Sequence, residues 1–581
     1  MHTKFDTDVI VVGSGPTGST MALALASYGI RVQVISRWNW VANTPRAHIT
    51  NQRTMEVFRD LGIEEDCHRY ATPWEQMGDS LITTSLAGEE LLRIRAWGTD
   101  PERLGDYTSG SPCDLLDIPQ PLVEPILVNH ARQRGASYAF NTEYLRHEQD
   151  DEGVTVYVKN RLSDHEYSIR AKFLVGADGA RSQIFTDLGL KLEGQMARAG
   201  TAYTHFEADL SQYSAHRPSI LYWICSPDAA FGEIGFGLLR AVKPWTEWIA
   251  GWGFDMSQGE PELSDEEVTA KIRVLVGDPN LEIKIINKSV WYVNQAYAPH
   301  YDKGRVFCAG DAVHRHPPSS GLGLNTCVQD AFNLAWKLAY VINDYAGIEL
   351  LQSYSPERAP VGKQIVQRAN QSRLDYAPLK KVFRVDDAKN PIEAGIARFK
   401  SPCEEGKKAR LAAQEALILK RTEFSAQGVE MNQRYESHAI CVENEAEVWK
   451  KDKELYLQVT TRAGAKIPHA WLIDKKGYKQ STLDVVGQGK FTLITGLSGQ
   501  VWVDAAKQLN LPFLRAVVIG SIGYQDPYYE WQNRREIAED GVVLVRPDGY
   551  VAWRQHEASG LNATVAEQLL LEKLNHLLAR E

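Results

Sequence analysis

Three segments of the chain place glycine, serine or aspartate directly after a run of β-branched residues. The first, Gly13-Ser-Gly15-Pro-Thr-Gly18, follows the predicted strand Asp8–Val12 and precedes an alanine-rich helix at Ser19–Tyr28. In this context Gly13 permits a tight turn, Gly15 lets the backbone approach a pyrophosphate, and Gly18 lets the helix pack on the strand. The spacing predicts a nucleotide-binding turn. The alternative is a turn of the same shape that binds no nucleotide.

The second and third segments repeat this order of strand, tight turn and helix. Gly176–Ser182 follows a predicted strand, and its Asp178 would meet ribose hydroxyls or water near a pyrophosphate. Cys308–Asn325 carries Asp311 after the end of another strand, where the carboxylate can accept a hydrogen bond from a ribose or ribityl hydroxyl. The order of the three segments along the chain predicts that they bind one cofactor together.

The end of the third segment has the composition of a helix start. Gly321, Gly323, Leu324 and Asn325 are expected to open a helix that continues to Ile342. The first amides of such a helix point outward without partners and carry partial positive charge. This charge suits the electron-rich N1–C2=O side of a reduced flavin. The alternative is a glycine-rich loop that binds no ligand.

The residue after the second strand of the dinucleotide unit departs from the usual pattern. Such a strand normally ends in an acidic residue that binds a ribose hydroxyl, whereas Arg31–Ile35 is followed by Ser36 and Arg37. Arg37 could lie beside the adenosine or its phosphates, or it could be a solvated loop charge. The sequence leaves both interpretations open.

Two further segments carry polar side chains just ahead of predicted helices. In Thr44–Arg53, Arg46 and His48 precede a helix start, so they can project over the cofactor. A lone histidine is more often structural than catalytic, and both interpretations stand here. Asp117 and Gln120 precede the next helix. Asp117 could orient a base or a phenol, or it could be an ordinary acid of a helix first turn.

The middle of the chain predicts a largely antiparallel sheet with many aromatic residues. Thr201–Trp252 is rich in β-branched and aromatic residues at strand spacing. Five aromatic residues of this stretch could line a pocket or form core: Tyr222, Trp223, Trp245, Trp248 and Trp252. Arg240, at the end of a predicted strand, is the better candidate for a polar group in a site.

Length and composition limit the class of protein. A chain of 581 residues is expected to form roughly two to four domains. Lys and Arg number 64 against 74 Asp and Glu, and the resulting net charge of −10 argues against nucleic acid as the main partner. No run approaches the roughly 20 apolar residues of a membrane span, and no cleavable signal precedes the first turn. The seven cysteines form no C-x-x-C pair, so we expect reduced thiols, a cytoplasmic location and no metal site.

The C-terminal part of the chain changes pattern twice. Residues 372–421 are charged and helical, and could be a solvated linker, close a pocket or join domains. From about residue 436 strands and helices alternate, with an Asp548-Gly549 hairpin turn and a closing helix at Ala566–Leu578. This order resembles a thioredoxin fold. Because no C-x-x-C occurs, we expect a structural or dimer-supporting module rather than a redox one.

Taken together, these segments resemble the class A flavoprotein aromatic hydroxylases. Within that class the chain is similar to the phenol hydroxylase branch, in particular to the 2,4-dichlorophenol 6-monooxygenase and 2-hydroxybiphenyl 3-monooxygenase group. The segments that carry the resemblance are TPRAHITNQRTMEVFRDLG (44–62), SLAGEE (85–90), NTEYLRHEQD (141–150), HRPSILYW (216–223) and RVFCAGDAVHRHPPSSGLGLNT (305–326). The resemblance implies an α/β and α+β fold like that of para-hydroxybenzoate hydroxylase. In it a Rossmann FAD domain is interleaved with an antiparallel-sheet substrate domain, and a C-terminal thioredoxin-like domain follows.

The resemblance implies FAD as the cofactor and NADPH or NADH as a transient electron donor. A second G-x-G-x-x-G turn after a strand does not occur, which agrees with transient binding of the donor. With Arg37 included on the reasoning above, the expected FAD-binding residues are Gly13, Gly15, Gly18, Arg37, Arg46, Gln120, Asp178, Asp311, Gly321, Gly323, Leu324 and Asn325.

The resemblance also implies a reaction. A phenolic substrate is expected to be hydroxylated ortho to its hydroxyl group with NAD(P)H and O2, through a flavin C4a-hydroperoxide. His48 matches the base that activates the phenol, Asp117 lies beside it, and Arg240 is a further catalytic candidate. Phe254 stands where a tyrosine is expected in the relatives. The expected substrate-pocket residues are Trp223, Phe254 and Pro318.

The expected organisation follows from the same resemblance. Residues 1–75, 110–182 and 295–370 would form the FAD domain, 76–109 and 183–294 the substrate domain, 371–435 a helical linker and 436–581 the thioredoxin-like domain. A homodimer or homotetramer is expected by analogy. One alternative is another FAD oxidoreductase, a halogenase or dehydrogenase, acting on an aromatic or polyketide-like substrate. A second is a flavin-binding scaffold without activity. The tryptophan-rich signature and active-site lysine expected of a flavin halogenase are not visible.

Overall fold

The computed structural model of the chain describes residues 4–98, 100–227, 234–520 and 523–580. Its α-helices are Pro16–Ser27, Gln52–Asp60, Glu64–Tyr70, Trp74–Met77, Leu104–Gly110, Gln120–Gln133, Gln183–Asp187, Ser211–Ser214, Asp265–Val276, Gly323–Ile342, Tyr354–Leu374, Ala377–Val382, Pro391–Lys400, Glu404–Leu419, Arg421–Phe424, Gln427–Met431, Gln500–Leu509, Glu530–Arg534 and Ala563–Leu577. Among the described residues, no helix has both the length and the apolar run needed to cross a bilayer.

The first sheet carries the three glycine turns. Its main strands are, in spatial order, Asp302–Lys303, Val306–Cys308, Glu166–Gly176, Thr7–Val12, Val32–Ile35 and Ser137–Ala139, and Val154–Asn160 and Thr142–Gln149 extend it from Glu166–Gly176. The five strands from Val306–Cys308 to Ser137–Ala139 are parallel. Because the carboxyl ends of parallel strands meet at one edge, the turns at Gly13, Ala177 and Ala309 leave three adjacent strands side by side.

The burial of this sheet explains its sequence. Thr7–Val12 is buried along its whole length and rich in β-branched residues, the pattern of a parallel strand covered on both faces. Helices Pro16–Ser27 and Gly323–Ile342 pack against each other over the sheet. The second of these helices ends at the residue expected from the sequence. Each helix follows a glycine turn, so both begin at the edge where the turns lie.

The second sheet is largely antiparallel, as the stretch Thr201–Trp252 predicts. Its strands are, in spatial order, His314–Arg315, Lys284–Tyr297, Glu193–Glu207, Glu247–Phe254, Gly237–Lys243, Leu221–Ile224, Ser80–Thr83 and Glu90–Ile94. Leu221–Ile224 and Ser80–Thr83 run parallel. One face of the sheet packs on helix Asp265–Val276. Since side chains alternate along a strand, the opposite face is left to meet the short strand Ile49–Thr50 and the later helices.

The helices from Ala377–Val382 to Arg421–Phe424 cover this opposite face of the second sheet. The Tyr376 ring packs on Trp223 with centroids 4.8 Å apart, and Phe424 meets the edge of Trp97 at 5.1 Å. Ile392 and Ala413 belong to the same buried cluster. These contacts place the segment against the buried face of the second sheet.

The C-terminal unit has the thioredoxin-like order expected from its sequence. Its main sheet is, in spatial order, Leu514–Val518, Phe491–Thr495, Val542–Val545 and Val551–Gln555, and a smaller sheet contains Lys479–Ser481, Trp471–Asp474 and Tyr524–Gln525. The first pair of the main sheet is parallel and the others are antiparallel. The tight turn between the last two strands uses Gly549 at φ +82°. Helices Gln500–Leu509 and Ala563–Leu577 pack together beside the sheet.

A buried ion network joins the C-terminal unit to the helices Gly323–Ile342 and Tyr354–Leu374. Arg546 Nη1 and Nη2 donate to the Glu357 carboxylate at 2.7 and 2.9 Å, and Lys337 Nζ donates to the same carboxylate at 2.8 Å. Asp548 accepts from Arg546 at 3.0 Å. The side chains of Arg546, Glu357 and Lys337 are 0% exposed. These cations lower the pKa of Glu357 against the opposing effect of its burial.

Candidate active site

The first glycine turn fits closely against the second. Gly13 has φ +110°, and a Cβ at this position would lie 2.1 Å from the carbonyl oxygen of Ala177. A Cβ on Gly18 would lie 1.9 Å from the carbonyl oxygen of Gly13. At Gly15, by contrast, the nearest atom to a Cβ would be Glu124 Oε1 at 3.9 Å. The turn is therefore closed on the protein side and open where a ligand would approach Gly15.

The third turn closes on the first helix. Gly310 has φ +67°, and a Cβ there would lie 2.3 Å from Thr17 Oγ1. The backbone N–H of Gly310 donates to Asp330 Oδ2 at 3.0 Å. Asp311 is exposed, and its nearest described side-chain partner is the Cys327 thiol at 3.6 Å. The fold thus holds Asp311 at the edge shared by the turns, with its carboxylate facing outward.

The helix start that follows is tied to the segment that carries His48. Asn325 Oδ1 accepts from the backbone N–H of Asn51 at 2.9 Å, and its Nδ2 donates to the carbonyl oxygen of Ile49 at 3.0 Å. A Cβ on Gly321 would lie 3.1 Å from Ile49 Cβ. No side chain caps the first turn of this helix. Asn325 therefore holds the segment bearing His48 against the helix start.

His48 forms a largely buried pair with Asp117. The short antiparallel strands Ile49–Thr50 and Leu116–Asp117 bring the two residues together across 69 positions of sequence. His48 Nδ1 lies 2.6 Å from Asp117 Oδ1, with the side chains 15% and 1% exposed. Because an ionised carboxylate only accepts hydrogen bonds, Nδ1 carries the proton. The other ring nitrogen of His48, Nε2, is then free to act as a base.

Arg240 adds a positive charge to this pair. It lies within the strand Gly237–Lys243, not at a strand end as the sequence suggested, and its side chain is buried. Its guanidinium donates through Nη2 to the carbonyl oxygen of Pro45. Burial lowers the pKa of His48 below its usual 6.5, the Arg240 charge lowers it further, and Asp117 opposes both effects. His48 therefore stays neutral, and able to accept a proton, at neutral pH.

Strand register decides which sequence-predicted pocket residues meet Arg240. Residues directly opposite each other share a face, and Leu221 pairs with Arg240 while Trp223 pairs with Leu238. Trp223 therefore lies on the face of Arg240. Phe254 lies two strands from Trp223 and pairs with Gly200 of the neighbouring strand. It occupies the alternate position, so its ring covers Gly200 on the face away from Arg240.

The same alternation sorts the remaining aromatic residues. Tyr222, Trp248 and Trp252 lie on the face that packs on helix Asp265–Val276, so they form core and do not line the site. Phe254, on that face too, packs against Tyr292. The structure thus places Phe254 on the face away from Arg240, because one step along a strand reverses the direction of a side chain.

Three residues near the site gave no signal in the sequence analysis. The Trp97 ring meets His48 edge-on with centroids 6.1 Å apart, and Trp97 adopts φ +58° in the turn after Glu90–Ile94. Tyr203 lies on the Arg240 face of the second sheet, opposite Gly251. Thr72 Oγ1 donates to Asp117 Oδ2 at 2.5 Å. Only the pairing of segments distant in sequence reveals these neighbours.

The remaining cofactor candidates differ in their exposure and in the hydrogen bonds that they already make. Arg37 and Arg46 are exposed, and Arg37 lies over the Trp38 ring at 5.1 Å. Gln120 Nε2 donates to Glu124 at 2.6 Å. Asp178 uses both oxygens to hold its own loop and the following helix start, accepting from Ser182 Oγ at 2.6 Å and from the N–H of Gln183 at 2.9 Å. Asp178 therefore shapes the second turn through contacts within the chain.

Similarity to known proteins identifies the class. A sequence profile described as an FAD binding domain matches residues 6–369, and one described as the C-terminal part of aromatic-ring hydroxylases matches residues 460–580. The chain belongs to this family of FAD-binding aromatic-ring hydroxylases. The resemblance inferred from the glycine turns is confirmed, and the chain is a flavin-dependent aromatic hydroxylase.

Individual relatives cover the whole chain. It is 46% identical to 2,4-dichlorophenol 6-monooxygenase of Cupriavidus pinatubonensis over 588 aligned residues, which span 100% of this chain and 98% of the relative. It is also 46% identical to phenol 2-monooxygenase of Pseudomonas sp. over 559 residues, 94% of this chain and 90% of the relative.

Solved structures agree with these sequence relatives. The flavin-dependent monooxygenase PieE, solved with FAD and substrate, superposes with a TM-score of 0.93 at 40% identity, covering 99% of both chains. A ternary complex of aklavinone-11 hydroxylase with FAD and aklavinone gives 0.82 at 28% identity, covering 100% of both chains. The expected fold class is confirmed over the full length.

The residues at the three turns fit FAD. The open space at Gly15 leaves room for a pyrophosphate next to the backbone, and the exposed Asp311 carboxylate is an acceptor suited to a sugar or ribityl hydroxyl. The helix start at Gly323 has no side-chain cap to compete with an electron-rich ring. These groups share one edge of one sheet, as a single elongated dinucleotide requires.

The sidedness of the second sheet gives a prediction. Phe254→Tyr is expected to leave the KM for the aromatic substrate within about twofold, because its hydroxyl would lie on the face away from Arg240. Trp223→Phe is the matched change on the Arg240 face, and we expect it to alter that KM about tenfold. Steady-state kinetics of both variants check this. A larger effect from Phe254→Tyr than from Trp223→Phe would contradict the assignment of faces.

Proposed function

We propose that this enzyme hydroxylates a phenol at the position ortho to its hydroxyl group, with NAD(P)H as reductant and O2 as oxidant. The observation that carries the proposal is the His48–Asp117 pair, 2.6 Å between Nδ1 and Oδ1, held against the Gly323 helix start beside the buried Arg240. The names of the relatives at 46% identity, a dichlorophenol and a phenol monooxygenase, support the substrate class.

The side chains account for activation of the substrate. A phenol has a pKa near 10, like tyrosine, so it is almost wholly protonated at neutral pH, and its anion is the better nucleophile toward oxygen. His48 Nε2 takes the phenolic proton, while Asp117 holds Nδ1–H and stabilises the imidazolium that forms. The Arg240 guanidinium, one Nη of which has no described hydrogen-bond partner, stabilises the phenolate charge.

Bound FAD supplies the chemistry that side chains cannot, accepting electrons from the nicotinamide and activating O2. Its proposed protein contacts are Gly13, Gly15, Gly18, Arg37, Arg46, Gln120, Asp178, Asp311, Gly321, Gly323, Leu324 and Asn325. The protein's own part is to orient the phenol and exclude water. We propose that Trp223 and Pro318 line the substrate side, with Trp97 and Tyr203 as additions from the structure.

The wider organisation is also a proposal. We assign residues 1–75, 110–182 and 295–370 to FAD binding, 76–109 and 183–294 to the substrate, 371–435 to a helical linker and 436–581 to the thioredoxin-like unit. A homodimer or homotetramer, to be measured by sedimentation, is proposed by analogy. All seven cysteines are free thiols, which supports a cytoplasmic location, where NADPH and NADH are both available as donor.

The proposal is tested on the purified enzyme. We expect a yellow protein whose NAD(P)H consumption rises at least about tenfold when a phenol is added, with an ortho-diol as product and little peroxide. A panel of phenols bearing alkyl, chloro and aryl substituents then ranks the substrates, and peroxide formation measures uncoupled turnover. Yellow protein without phenol-stimulated oxidation would favour a halogenase or dehydrogenase. Colourless protein that cannot be loaded with FAD would favour a scaffold.

A further inference from the structure

We propose that Thr72 is a positioning residue for the reaction: its hydroxyl holds the buried Asp117 carboxylate in place through a hydrogen bond, and thereby keeps His48 ready to accept a proton. This inference rests on the proposed function of His48 as the base. In the described contacts Thr72 meets Asp117 and does not touch the imidazole of His48. It acts through Asp117.

The contacts around Asp117 carry the inference. The two carboxylate oxygens are used separately, Oδ1 by His48 Nδ1 at 2.6 Å and Oδ2 by Thr72 Oγ1 at 2.5 Å. The backbone N–H of Thr72 also donates to the carbonyl oxygen of Asp117 at 2.8 Å. This second bond fixes the Thr72 backbone, so its hydroxyl is delivered to the carboxylate at a defined position. The Asp117 side chain is 1% exposed, so water cannot replace the hydroxyl without rearrangement.

The place of Thr72 in the chain separates it from the other site residues. It lies in the connection between helices Glu64–Tyr70 and Trp74–Met77, outside both strands that hold the pair. Thr72 itself is buried, whereas its neighbours Pro73 and Trp74 are exposed. Thr72 thus lies between the buried carboxylate and the solvent. An ionised carboxylate has no proton to donate, so it can only accept hydrogen bonds. A hydroxyl in this place must therefore donate to it.

The sign of the effect follows from the charge. A hydrogen bond to the ionised form of an acid favours that form, so loss of the Thr72 hydroxyl makes the anionic state of the pair less stable. The pair then takes up a proton at a higher pH, and a protonated pair cannot act as a base. The charged groups whose fields act on His48 are Asp117 and Arg240, with Tyr203 acting on Arg240. These groups are unchanged by a substitution at Thr72.

The experiment compares Thr72→Val with Thr72→Ser in the full-length, FAD-loaded enzyme. Valine matches threonine in shape and removes the hydroxyl, whereas serine keeps it. We expect Thr72→Val to shift the acid limb of the kcat/KM profile for a phenol upward by about one pH unit. On the acid limb kcat/KM would then be about tenfold below that of the wild type. The plateau at high pH should be retained. Thr72→Ser is expected to follow the wild-type profile. Thr72→Ala gives a second hydroxyl-free variant should Thr72→Val fail to bind FAD.

Two results would overturn the inference. One is an acid limb of the hydroxyl-free variant that coincides with that of the wild type. The other is an equal loss of activity at every pH, since that marks a purely structural role. His48→Ala, measured alongside, separates the two proposals. If His48→Ala is inactive and the limb of Thr72→Val is unmoved, only the role of Thr72 fails; if His48→Ala hydroxylates normally, the base assignment fails first.

Discussion

Replacing His48 by alanine is expected to lower kcat/KM for phenol hydroxylation at neutral pH by about 10²–10⁴-fold, the range usual for loss of a general base. The structure gives the reason: His48 is paired through Nδ1 with Asp117 at 2.6 Å, which leaves Nε2 as the proton acceptor. FAD content should be unchanged, because His48 makes no described contact with the glycine turns. NAD(P)H oxidation should continue with peroxide in place of the hydroxylated product.

The pH dependence sharpens this test. Without His48, the rate should depend on the fraction of phenol already ionised, and should rise about tenfold per pH unit toward pH 10. The wild type should be flat over this range and lose activity only on acidification below pH 6.5, because burial and Arg240 lower the pKa of His48. A His48→Ala enzyme with the wild-type rate and profile would refute the assignment.

A second histidine provides the control. His130 Nε2 lies 2.7 Å from Asp66 Oδ2, so it is also a histidine paired with an aspartate, but it is on helix Gln120–Gln133 and partly exposed. His130→Ala should keep kcat/KM within about twofold of the wild type, since exposed pairs contribute little. A comparable loss in both variants would point to general destabilisation rather than to loss of a base.

Replacing Gly13 by alanine is expected to abolish FAD binding at micromolar cofactor. The added Cβ would lie 2.1 Å from the Ala177 carbonyl oxygen, a backbone atom that cannot move without shifting the second turn. The residue would also be held at φ +110°, a strain of about 1–3 kcal/mol by itself. Absorbance of the purified protein near the flavin bands, with titration of added FAD, measures the loss.

Gly29 offers a matched control in the same unit. It also has a positive φ, +77°, yet a Cβ there would meet nothing within 4 Å. Gly29→Ala should therefore cost about 1 kcal/mol in folding free energy, from backbone strain alone, and leave FAD affinity unchanged. Full retention of FAD by Gly13→Ala would show that the two turns do not have to fit each other closely.

The parts of the site that were predictable from sequence are those set by local spacing. Gly13, Gly15 and Gly18 follow a buried β-branched strand at fixed intervals, and Gly310 and Asp311 follow another. These patterns depend on a few consecutive residues, so they identify the turns before any tertiary contact is known. That the turns leave three adjacent parallel strands could only be an expectation until the strand order was established.

The parts that sequence could not supply depend on register and on distant pairing. Thr72 meets Asp117 across 45 positions, and no local pattern marks either as a partner of the other. Phe254 and Trp223 are both aromatic strand residues, yet a single step of alternation sends them to opposite faces. Asp178 has the residue type of a ribose ligand, but its two oxygens are already used within its own loop and helix.

The ion network that links Arg546 of the C-terminal unit to Glu357 limits which chimeras with relatives of this enzyme will be stable. A truncated chain that ends before the thioredoxin-like unit would keep Glu357 and Lys337 but lose the Arg546 guanidinium that saturates the carboxylate. Breaking such a buried pair typically costs about 3–5 kcal/mol. Chimeras that exchange C-terminal units should therefore retain Arg546, Asp548 and Glu357 as a set, even though all three lie outside the catalytic pocket.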